Sequence, residues 1–240
     1  MSRDFEREQK IMKELEQFDT PTVTNAVATY SSRPDTCLGL YHPWEGKWYT
    51  DQSLKCMFPN LGRRCGYVVT CSYSLPDPRF QNYSMTDILL AMEESPKPIV
   101  LVVKQEFPEE IKKINGLMGG NMMTCFTQMG AVGVISDGPS RDVDEIREMN
   151  VQYMLTGVTP GHGDFAVRSV GVPVEVCGMS VMPGDIVHMD EHGAVKFPAK
   201  YLSEVLENCK KIIADEQSKH VLMRKAKTAQ ELGDIYSGKV

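Results

Sequence analysis

The segment from Gly119 to Glu145 constrains the fold of this chain most, because it carries a helix signal, a strand signal and a second helix signal in direct succession. A glycine pair opens an apolar stretch of helical period that runs to about Met129, and the small apolar run 131–136 is typical of a strand. An Asp-Gly-Pro turn then leads into a helix predicted over 142–149. Strand and helix in alternation predict a layered α/β core.

The same kinds of pattern predict the other elements. Further helices are predicted over 4–18, from an N-cap at Thr20 to about Ala28, from a capping box at Ser84, and over about 199–216 and 219–235. Strands are predicted over 66–72 and 98–104, and after Val172 a compact β section follows. We expect a single domain over 1–240, with N-terminal helices in 1–30, a long loop in 31–64, an α/β core in 65–198 and C-terminal helices in 199–240.

Composition excludes several classes of function. A net charge of -6 disfavours nucleic acid as a partner, since phosphate binding needs a basic face. No apolar run approaches the length of a membrane span, and the charged N-terminus lacks the features of a secretory signal, so we expect a cytoplasmic protein without membrane contact. The 7 cysteines are odd in number and form no CxxC pair, which favours reduced thiols. Zinc at Cys56, Cys65 and Cys71 is a weaker interpretation than burial as small apolar groups.

The chemistry-bearing residues of the opening segment are Gly119, Gly120, Arg141, Asp142 and Glu145. The glycines let a ligand approach the first amides of a helix, which can bind a carboxylate, although a glycine pair is also an ordinary turn. The arginine suits a carboxylate or enolate oxygen, and the aspartate is a hard oxygen ligand for Mg²⁺ or Mn²⁺. The alternative is structural: Asp142-x-x-Glu145 is also a capping-box pattern, and the arginine could pair with a neighbouring acid.

Other candidates compete with this interpretation. Lys104 ends a predicted strand and could form a Schiff base with a keto acid, but a solvated lysine is the favoured interpretation. His162, in a glycine-rich loop, is a second-rank candidate, whereas His188 and His192 are predicted to be structural. Two tryptophans in 31–64, Trp44 and Trp48, are predicted to pack that loop down. The signatures of common hydrolases, NTPases and dinucleotide-binding proteins are absent from the sequence.

Several motifs together resemble the family that joins the regulator of ribonuclease activity A to the 4-hydroxy-4-methyl-2-oxoglutarate aldolases. The matching pieces are DTPTV at 19–23, GYVVT at 66–70, GAVGVISDGPSRD at 130–142 and VPVEVCGMSVMPGDIVHMDEHGAVKFP at 172–198. The most specific is a glycine followed, after about twenty residues, by Arg-Asp-x-x-Glu, which is met here by Gly119, Arg141, Asp142 and Glu145.

This resemblance implies a swivelling β/β/α-type single domain with N- and C-terminal helical extensions, assembled as a homotrimer or hexamer. It implies a metal-dependent (class II) pyruvate aldolase, a carbon–carbon lyase that cleaves 4-hydroxy-2-oxo acids and decarboxylates oxaloacetate through an enolate. By this resemblance, Asp142 corresponds to the ligand of Mg²⁺ or Mn²⁺. Arg141 corresponds to the group that contacts the substrate oxygen. The amides from Gly119 through Gly120 and Asn121 to Met122 would bind the pyruvate carboxylate of a small 2-oxo acid substrate.

One departure from the family pattern concerns Gly120, because many aldolase members carry an acidic residue directly after the first glycine. Proton transfer would then fall to Glu145, to a carboxylate of a neighbouring subunit, or to metal-bound water. The alternative function is a non-catalytic, ribonuclease-regulator-like binding protein. Regulatory members can lack the acid after the arginine, so the presence of Asp142 favours catalysis.

Overall fold

The computed structural model describes residues 4–31, 33–80 and 83–239; Met1 and Val240, the limits of the expected domain, lie outside them. The helices are α1 (Phe5–Leu15), α2 (Thr20–Val27), α3 (Met85–Glu94), α4 (Glu109–Lys112), α5 (Gly120–Gln128), α6 (Val143–Arg147), α7 (Leu202–Met223) and α8 (Ala229–Tyr236). The strands are β1 (Lys55–Cys56), β2 (Arg64–Ser74), β3 (Ile99–Glu106), β4 (Ala131–Ser136), β5 (Gln152–Leu155), β6 (Ala166–Val170), β7 (Val174–Val176), β8 (Met179–Val181), β9 (Asp185–Asp190) and β10 (Gly193–Pro198).

The main sheet has the strand order β1-β5-β4-β3-β2-β9-β10 and a parallel centre formed by β2, β3, β4 and β5. The long strand β2 changes partner along its length. Its first residues, from Arg64 to Tyr67, pair with β9, whereas those from Cys71 to Ser74 pair with β6. Because β2 pairs with a different strand at each end, the sheet changes direction along β2 and is curled.

The sheet is covered on both faces, as the unbroken apolar run of β3 predicts. Ile99, Leu101 and Val103 are buried in a cluster that also contains residues of α3, α5 and α6. Val100 and Val102 point the other way and are buried with the β7–β8 hairpin. Burial of each such side chain contributes about 1.5–3 kcal/mol. The result is a mixed α/β domain with a hairpin on one face, the curled sheet in the middle and helices on the other face.

The terminal helices form the predicted extensions and share a separate apolar cluster with β9 and β10. Met12 and Leu15 of α1 and Val205 of α7 are fully buried or nearly so in this cluster. The break predicted between 216 and 219 is wrong, because α7 continues through it. Ser218 is accommodated there by donating its hydroxyl to the carbonyl of Ala214 at 2.9 Å.

Several other local expectations are corrected by the structure. The N-cap of α2 is Asp19, whose carboxylate accepts from Thr22 N at 2.9 Å, and not Thr20, which begins the helix. The predicted β section after Val172 is divided between two sheets: β9 pairs with β2 and extends the main sheet, and β7 and β8 form a separate hairpin. Strands β5 and β6 were not predicted from the sequence.

The long loop is only partly packed as predicted. Trp48 is buried and stacks on Tyr41 with ring centroids 5.2 Å apart, but Trp44 is 93% exposed, so the expectation for Trp44 is wrong. All seven cysteines are free thiols. Cys65 and Cys71 are buried, and burial raises the pKa of both thiols, which agrees with their prediction as small apolar groups.

Candidate active site at the N-terminus of helix α5

The parallel centre of the sheet brings the end of β4 next to the start of α5. Helix α5 leads into β4, which pairs with β3 in parallel, and Arg141 and Asp142 follow β4 after a short turn. Ligands of open α/β sheets bind beyond the carboxyl ends of the strands, and these two residues lie in that position.

Asp142 reaches the first turn of α5 rather than capping its own helix. It occupies the N-cap position of α6 in the left-handed conformation, with φ 57°, and its side chain makes no capping hydrogen bond. Instead, Asp142 Oδ2 accepts the amide hydrogen of Gly120 at 3.0 Å. The capping box considered from the sequence is therefore not formed, and the carboxylate is committed to the N-terminus of another helix.

Acidic side chains approach the glycine pair closely. A Cβ on residue 119 would overlap Asp142 Oδ2, and a Cβ on residue 120 would overlap the carboxylate of Glu145. The first intrahelical bond of α5 is made by Met123 N to Gly119 O at 3.1 Å, so the amides of Asn121 and Met122 precede it and lack an intrahelical acceptor. The sequence also suggested the amide of Gly120 for substrate binding, but this amide donates its hydrogen to Asp142.

Arg141 contributes an unpaired donor at this point. Its Nε atom is buried and has no hydrogen-bond partner among the described residues. The neighbouring Asp142 Oδ2 lies 3.5 Å from it, close enough for an ion pair but without hydrogen-bond alignment. A buried N–H left unpaired costs about 1–3 kcal/mol, and the Nε of Arg141 is such a donor among the described residues.

The main chain just before the glycine pair is held in place by hydrogen bonds from two buried hydroxyls. Met118 has φ 64°, an uncommon value for a side chain other than glycine. Its carbonyl oxygen lies 3.1 Å from the hydroxyl of Ser140 and 2.8 Å from that of Tyr153. Both hydroxyls are buried, and burial raises the pKa of Tyr153, which keeps its phenol protonated. These bonds tie the start of α5 to the end of β4.

The residues around this point line a cavity of about 240 Å³. Of the residues predicted to form the site, Gly119, Asn121, Met122, Arg141, Asp142 and Glu145 line it, and Gly120 lies beneath Glu145. His162, the second-rank candidate, also lines it and bonds through Nδ1 to the carbonyl of Gly163 at 2.9 Å. Gly116, Met118 and Phe165 line it as well but were not predicted, since no local pattern distinguishes them.

Lys104 does not line this cavity. Its Nζ lies 2.6 Å from Asp137 Oδ2, and Lys112 Nζ lies 2.7 Å from the same oxygen. Schiff-base formation needs a lysine that reaches the substrate, and this one contacts a carboxylate away from the cavity. The geometry thus agrees with the structural interpretation of Lys104.

A second polar cluster joins the N-terminal helices to the sheet and is fully paired. His188 is buried, with Nδ1 3.0 Å from the hydroxyl of Thr20 and Nε2 3.2 Å from the carbonyl of Leu15. Burial lowers the pKa of His188 to about 4, so its ring is neutral at pH 7. Asp190 beside it accepts from Thr20 N at 2.7 Å and from His192 N at 2.8 Å.

The grouping of Asp190, Glu191 and His192 brings three possible metal ligands within 4.8 Å of one another. Both oxygens of Asp190 already accept main-chain hydrogen bonds, and Arg63 Nε lies 3.9 Å from Oδ2. We therefore interpret this grouping as structural, because Asp190 holds the start of α2 against the end of β9. Asp142 and Glu145, by contrast, present hard oxygen donors to a cavity, beside an unpaired N–H, and this donor set fits a Mg²⁺ or Mn²⁺ ion.

These features define a class of protein: a curled α/β domain in which a glycine-opened helix and an Arg-Asp pair border a small cavity. A family model described as RraA-like, aldolase/RraA, matches residues 20–196. The chain belongs to this RraA-like family.

No helix in the described part of the chain has the length and apolarity needed to cross a membrane.

Individual relatives are similar to parts of the chain. A 4-hydroxy-4-methyl-2-oxoglutarate aldolase from Thermus thermophilus is 33% identical over 88 residues, which make up 34% of this chain and 51% of that protein. A putative 4-hydroxy-4-methyl-2-oxoglutarate aldolase from Burkholderia mallei is 33% identical over 82 residues, or 33% of this chain and 48% of that protein. The chain thus spans about half the length of the curated relatives it matches.

Solved structures share the fold over nearly the whole chain. An uncharacterized protein from Pseudomonas syringae superposes with a TM-score of 0.70 at 20% identity, covering 96% of this chain and 94% of that one. RraAS2 from Streptomyces coelicolor, described as an unusual member of the RNase ES inhibitor RraA protein family, gives a TM-score of 0.65 at 20% identity and covers 88% and 96%. At this identity the likeness establishes the fold alone.

Proposed function

We propose that the protein is a metal-dependent aldolase and decarboxylase that releases pyruvate from 4-hydroxy-2-oxo acids and from oxaloacetate. The observation that carries this proposal is the buried, unpaired Nε of Arg141 beside the carboxylate of Asp142, at the opening of α5. The names of the relatives from Thermus thermophilus and Burkholderia mallei support an aldolase reaction.

Substrate binding follows from the charges in the cavity. The amides of Asn121 and Met122, at the positive end of α5, suit the substrate carboxylate. Arg141 then donates to the C2 oxygen. As the C3–C4 bond breaks, negative charge develops on that oxygen, and the fixed guanidinium stabilises it because no reorganisation is needed.

Asp142, which lines the cavity, is the residue that would hold the metal ion. Its Oδ2 accepts the amide hydrogen of Gly120, and this bond orients the carboxylate. A bound Mg²⁺ or Mn²⁺ ion would supply Lewis-acid polarisation of the C2 carbonyl. It would also offset the repulsion between Asp142 and the substrate carboxylate at one helix end.

Proton transfer is assigned in this proposal to Glu145. Its carboxylate lies against the Cα of Gly120 and lines the same cavity as Arg141. In the cleavage direction a base must take the proton of the C4 hydroxyl, and an acid must return a proton to C3 of the enolate. One carboxylate, used in turn, can carry out both transfers.

The proposal is tested by coupled detection of pyruvate. We expect pyruvate from oxaloacetate and from 4-hydroxy-4-methyl-2-oxoglutarate with Mg²⁺, loss of both activities in EDTA, and recovery when Mg²⁺ or Mn²⁺ is returned. The matched control is the spontaneous, metal-catalysed decay of oxaloacetate without protein. Pyruvate release no faster than this control for both substrates would exclude the aldolase and favour a binding protein.

We also propose that the chain assembles as a trimer or a hexamer, as the family resemblance implies. Trp44 is 93% exposed, Tyr236 82% and Ile114 66%, and large apolar groups at such exposure are suited to contact between subunits. Light scattering at working concentration is expected to give a multiple of the 26.9 kDa chain mass. A single species at the chain mass would contradict the assembly but not the reaction.

A further inference from the structure

A second, larger cavity adjoins the candidate active site. It has a volume of about 540 Å³, and two of its lining residues, Met122 and Phe165, also line the 240 Å³ cavity that contains Arg141. Phe165 lies between the two, with its ring centroid 5.7 Å from that of His162 on one side and 5.7 Å from that of Tyr73 on the other. The two cavities are therefore neighbours that share Met122 and Phe165 in their walls.

The larger cavity differs from the smaller one in chemistry. None of the described residues that line it carries a charge. Tyr73 is buried with its hydroxyl 3.7 Å from Met85 Sδ, and burial raises the pKa of this phenol, so it stays neutral. Tyr83 and Ser84 add hydroxyl groups to the walls, and the rest of the lining is apolar, such as Ala166 and Val167 of β6.

The charged side chains beside two lining residues, Ser84 and Val167, offer no cation to the larger cavity. Ser84 lines it and donates its hydroxyl to Asp87 Oδ2 at 2.7 Å, and this bond holds the pKa of Asp87 below its usual range. A carboxylate thus stays ionised beside the cavity rim. The cation that follows Val167, Arg168, lies 3.7 Å from the ring centroid of Phe80 and lines a different cavity. A second carboxylate on the ligand would therefore meet repulsion without a balancing cation from these residues.

We propose that the substrates carry an apolar group, aromatic or alkyl, on the carbon beyond the bond that is cleaved, and that the larger cavity selects for it. This inference rests on the proposed aldolase function and names its substrate class. For 4-hydroxy-2-oxo-4-phenylbutanoate the C3–C4 bond breaks and its electron pair stays on C3 as the pyruvate enolate. The C4 hydroxyl loses its proton and becomes the carbonyl of benzaldehyde, while C3 takes up a proton to give pyruvate.

The first test compares two cleavable substrates. We expect kcat/KM for 4-hydroxy-2-oxo-4-phenylbutanoate to exceed that for 4-hydroxy-2-oxoglutarate, which has a carboxylate on C4, by about 10-fold or more, the scale of discrimination by an apolar pocket. Equal values, or a preference for the dicarboxylate, would overturn the inference.

A pair of variants assigns the selectivity to the cavity. Tyr83 lines the cavity and is 45% exposed, so Tyr83→Arg can add a cation there without disturbing the core. Leu90→Arg is the matched control, because Leu90 is 49% exposed on α3 and does not line either cavity. We expect Tyr83→Arg to shift the ratio of the two kcat/KM values toward the dicarboxylate by about 10-fold, on the same scale. The same ratio in both variants would contradict the assignment.

A binding measurement separates failure of this inference from failure of the aldolase proposal. 2-Oxo-4-phenylbutanoate and 2-oxoglutarate lack the C4 hydroxyl and cannot undergo this cleavage, so calorimetry reports their affinities directly. If no substrate yields pyruvate but the phenyl compound binds more tightly, the reaction is wrong and the ligand class of the cavity stands. If pyruvate forms and the two compounds bind equally, the reaction stands and the inference is wrong.

Discussion

Two polar clusters of this domain are built from similar groups but differ in how completely those groups are paired. The His188 cluster, which comprises His188, Asp190 and Thr20, has a partner for each ring nitrogen and for each carboxylate oxygen. At the start of α5, Arg141 Nε is buried without a hydrogen-bond partner among the described residues, and Asp142 adopts the left-handed conformation. The paired cluster stabilises the attachment of α1 and α2, whereas we propose that the unpaired donor serves a ligand.

The largest effect is expected from Asp142→Asn, which removes a charge from the unpaired site but nearly keeps the shape of the side chain. Asn tolerates the left-handed conformation as well as Asp does, and its Oδ1 can still accept from Gly120 N, so Asp142→Asn should leave the melting temperature almost unchanged. Loss of the metal ligand should lower kcat for pyruvate formation about 10³-fold or more, since several kcal/mol of charge stabilisation go with the ion. Turnover and melting are measured in parallel at saturating Mg²⁺. Near-wild-type turnover would remove the metal assignment.

A smaller loss is expected from Arg141→Lys, which keeps the positive charge but not the planar donors. Because Nε is the atom left unpaired, a lysine cannot replace its directed N–H. We expect a loss of about 2–3 kcal/mol of transition-state stabilisation, the scale of one oxyanion donor. The readout is kcat/KM for oxaloacetate. Arg147→Lys, at an exposed position outside the cavity, is the control and should behave like wild type.

The paired cluster is expected to affect stability rather than turnover. Burial lowers the pKa of His188 to about 4, against about 6.5 in the unfolded chain. The unfolded chain therefore binds more protons between these values, and the stabilisation that is present above pH 6.5 is lost as the pH falls toward 4. The expected loss from this group is about 2 kcal/mol by pH 5.

Denaturant unfolding at pH 7 and pH 5 measures this effect as a difference between variants. His188→Gln, which cannot titrate, should lose less stability than wild type over this interval. His192→Gln, whose ring is 53% exposed, should follow wild type closely. If wild type and His188→Gln lose the same amount, another group is responsible for the acid sensitivity.

The smallest effect is expected at Lys104, which shares Asp137 with Lys112. Lys104→Gln leaves the second lysine on that carboxylate, and neither amine lines the active-site cavity. We expect kcat for pyruvate formation to change less than about threefold, as for a partly exposed ion pair. Borohydride in the presence of pyruvate should leave the wild-type enzyme active. Covalent trapping at Lys104 would instead assign an imine mechanism.

The sequence predicted the centre of the fold better than its edges. The run 98–104 and the helix–strand pair around Gly119 and β4 were identifiable because each carries its own period or cap. The pairing of β6 with the far half of β2 is set by residues almost a hundred positions apart, and no local pattern encodes it. Phe165, just before β6, is brought to the site by that pairing, which is why it was missed.

At the site itself, the residue types were predictable but their partners were not. The Arg-Asp-x-x-Glu pattern allowed both a capping box and a ligand site, since both need an acid at position 142. The backbone of Asp142 excludes the capping box, because its left-handed conformation directs the carboxylate to Gly120 rather than to its own helix, and the ligand site stays a prediction. The main-chain conformation of Asp142 depends on the packing of α5 against α6, so the local sequence does not predict it.

The contact between Gly120 and Glu145 has a consequence for substitution at the helix start. The space that a side chain on residue 120 would need is filled by the carboxylate of Glu145. That carboxylate is the far end of a flexible side chain, so a larger residue at position 120 would displace it. A substitution at position 120 therefore also moves the Glu145 carboxylate, and its effect on activity is the combined effect of both changes.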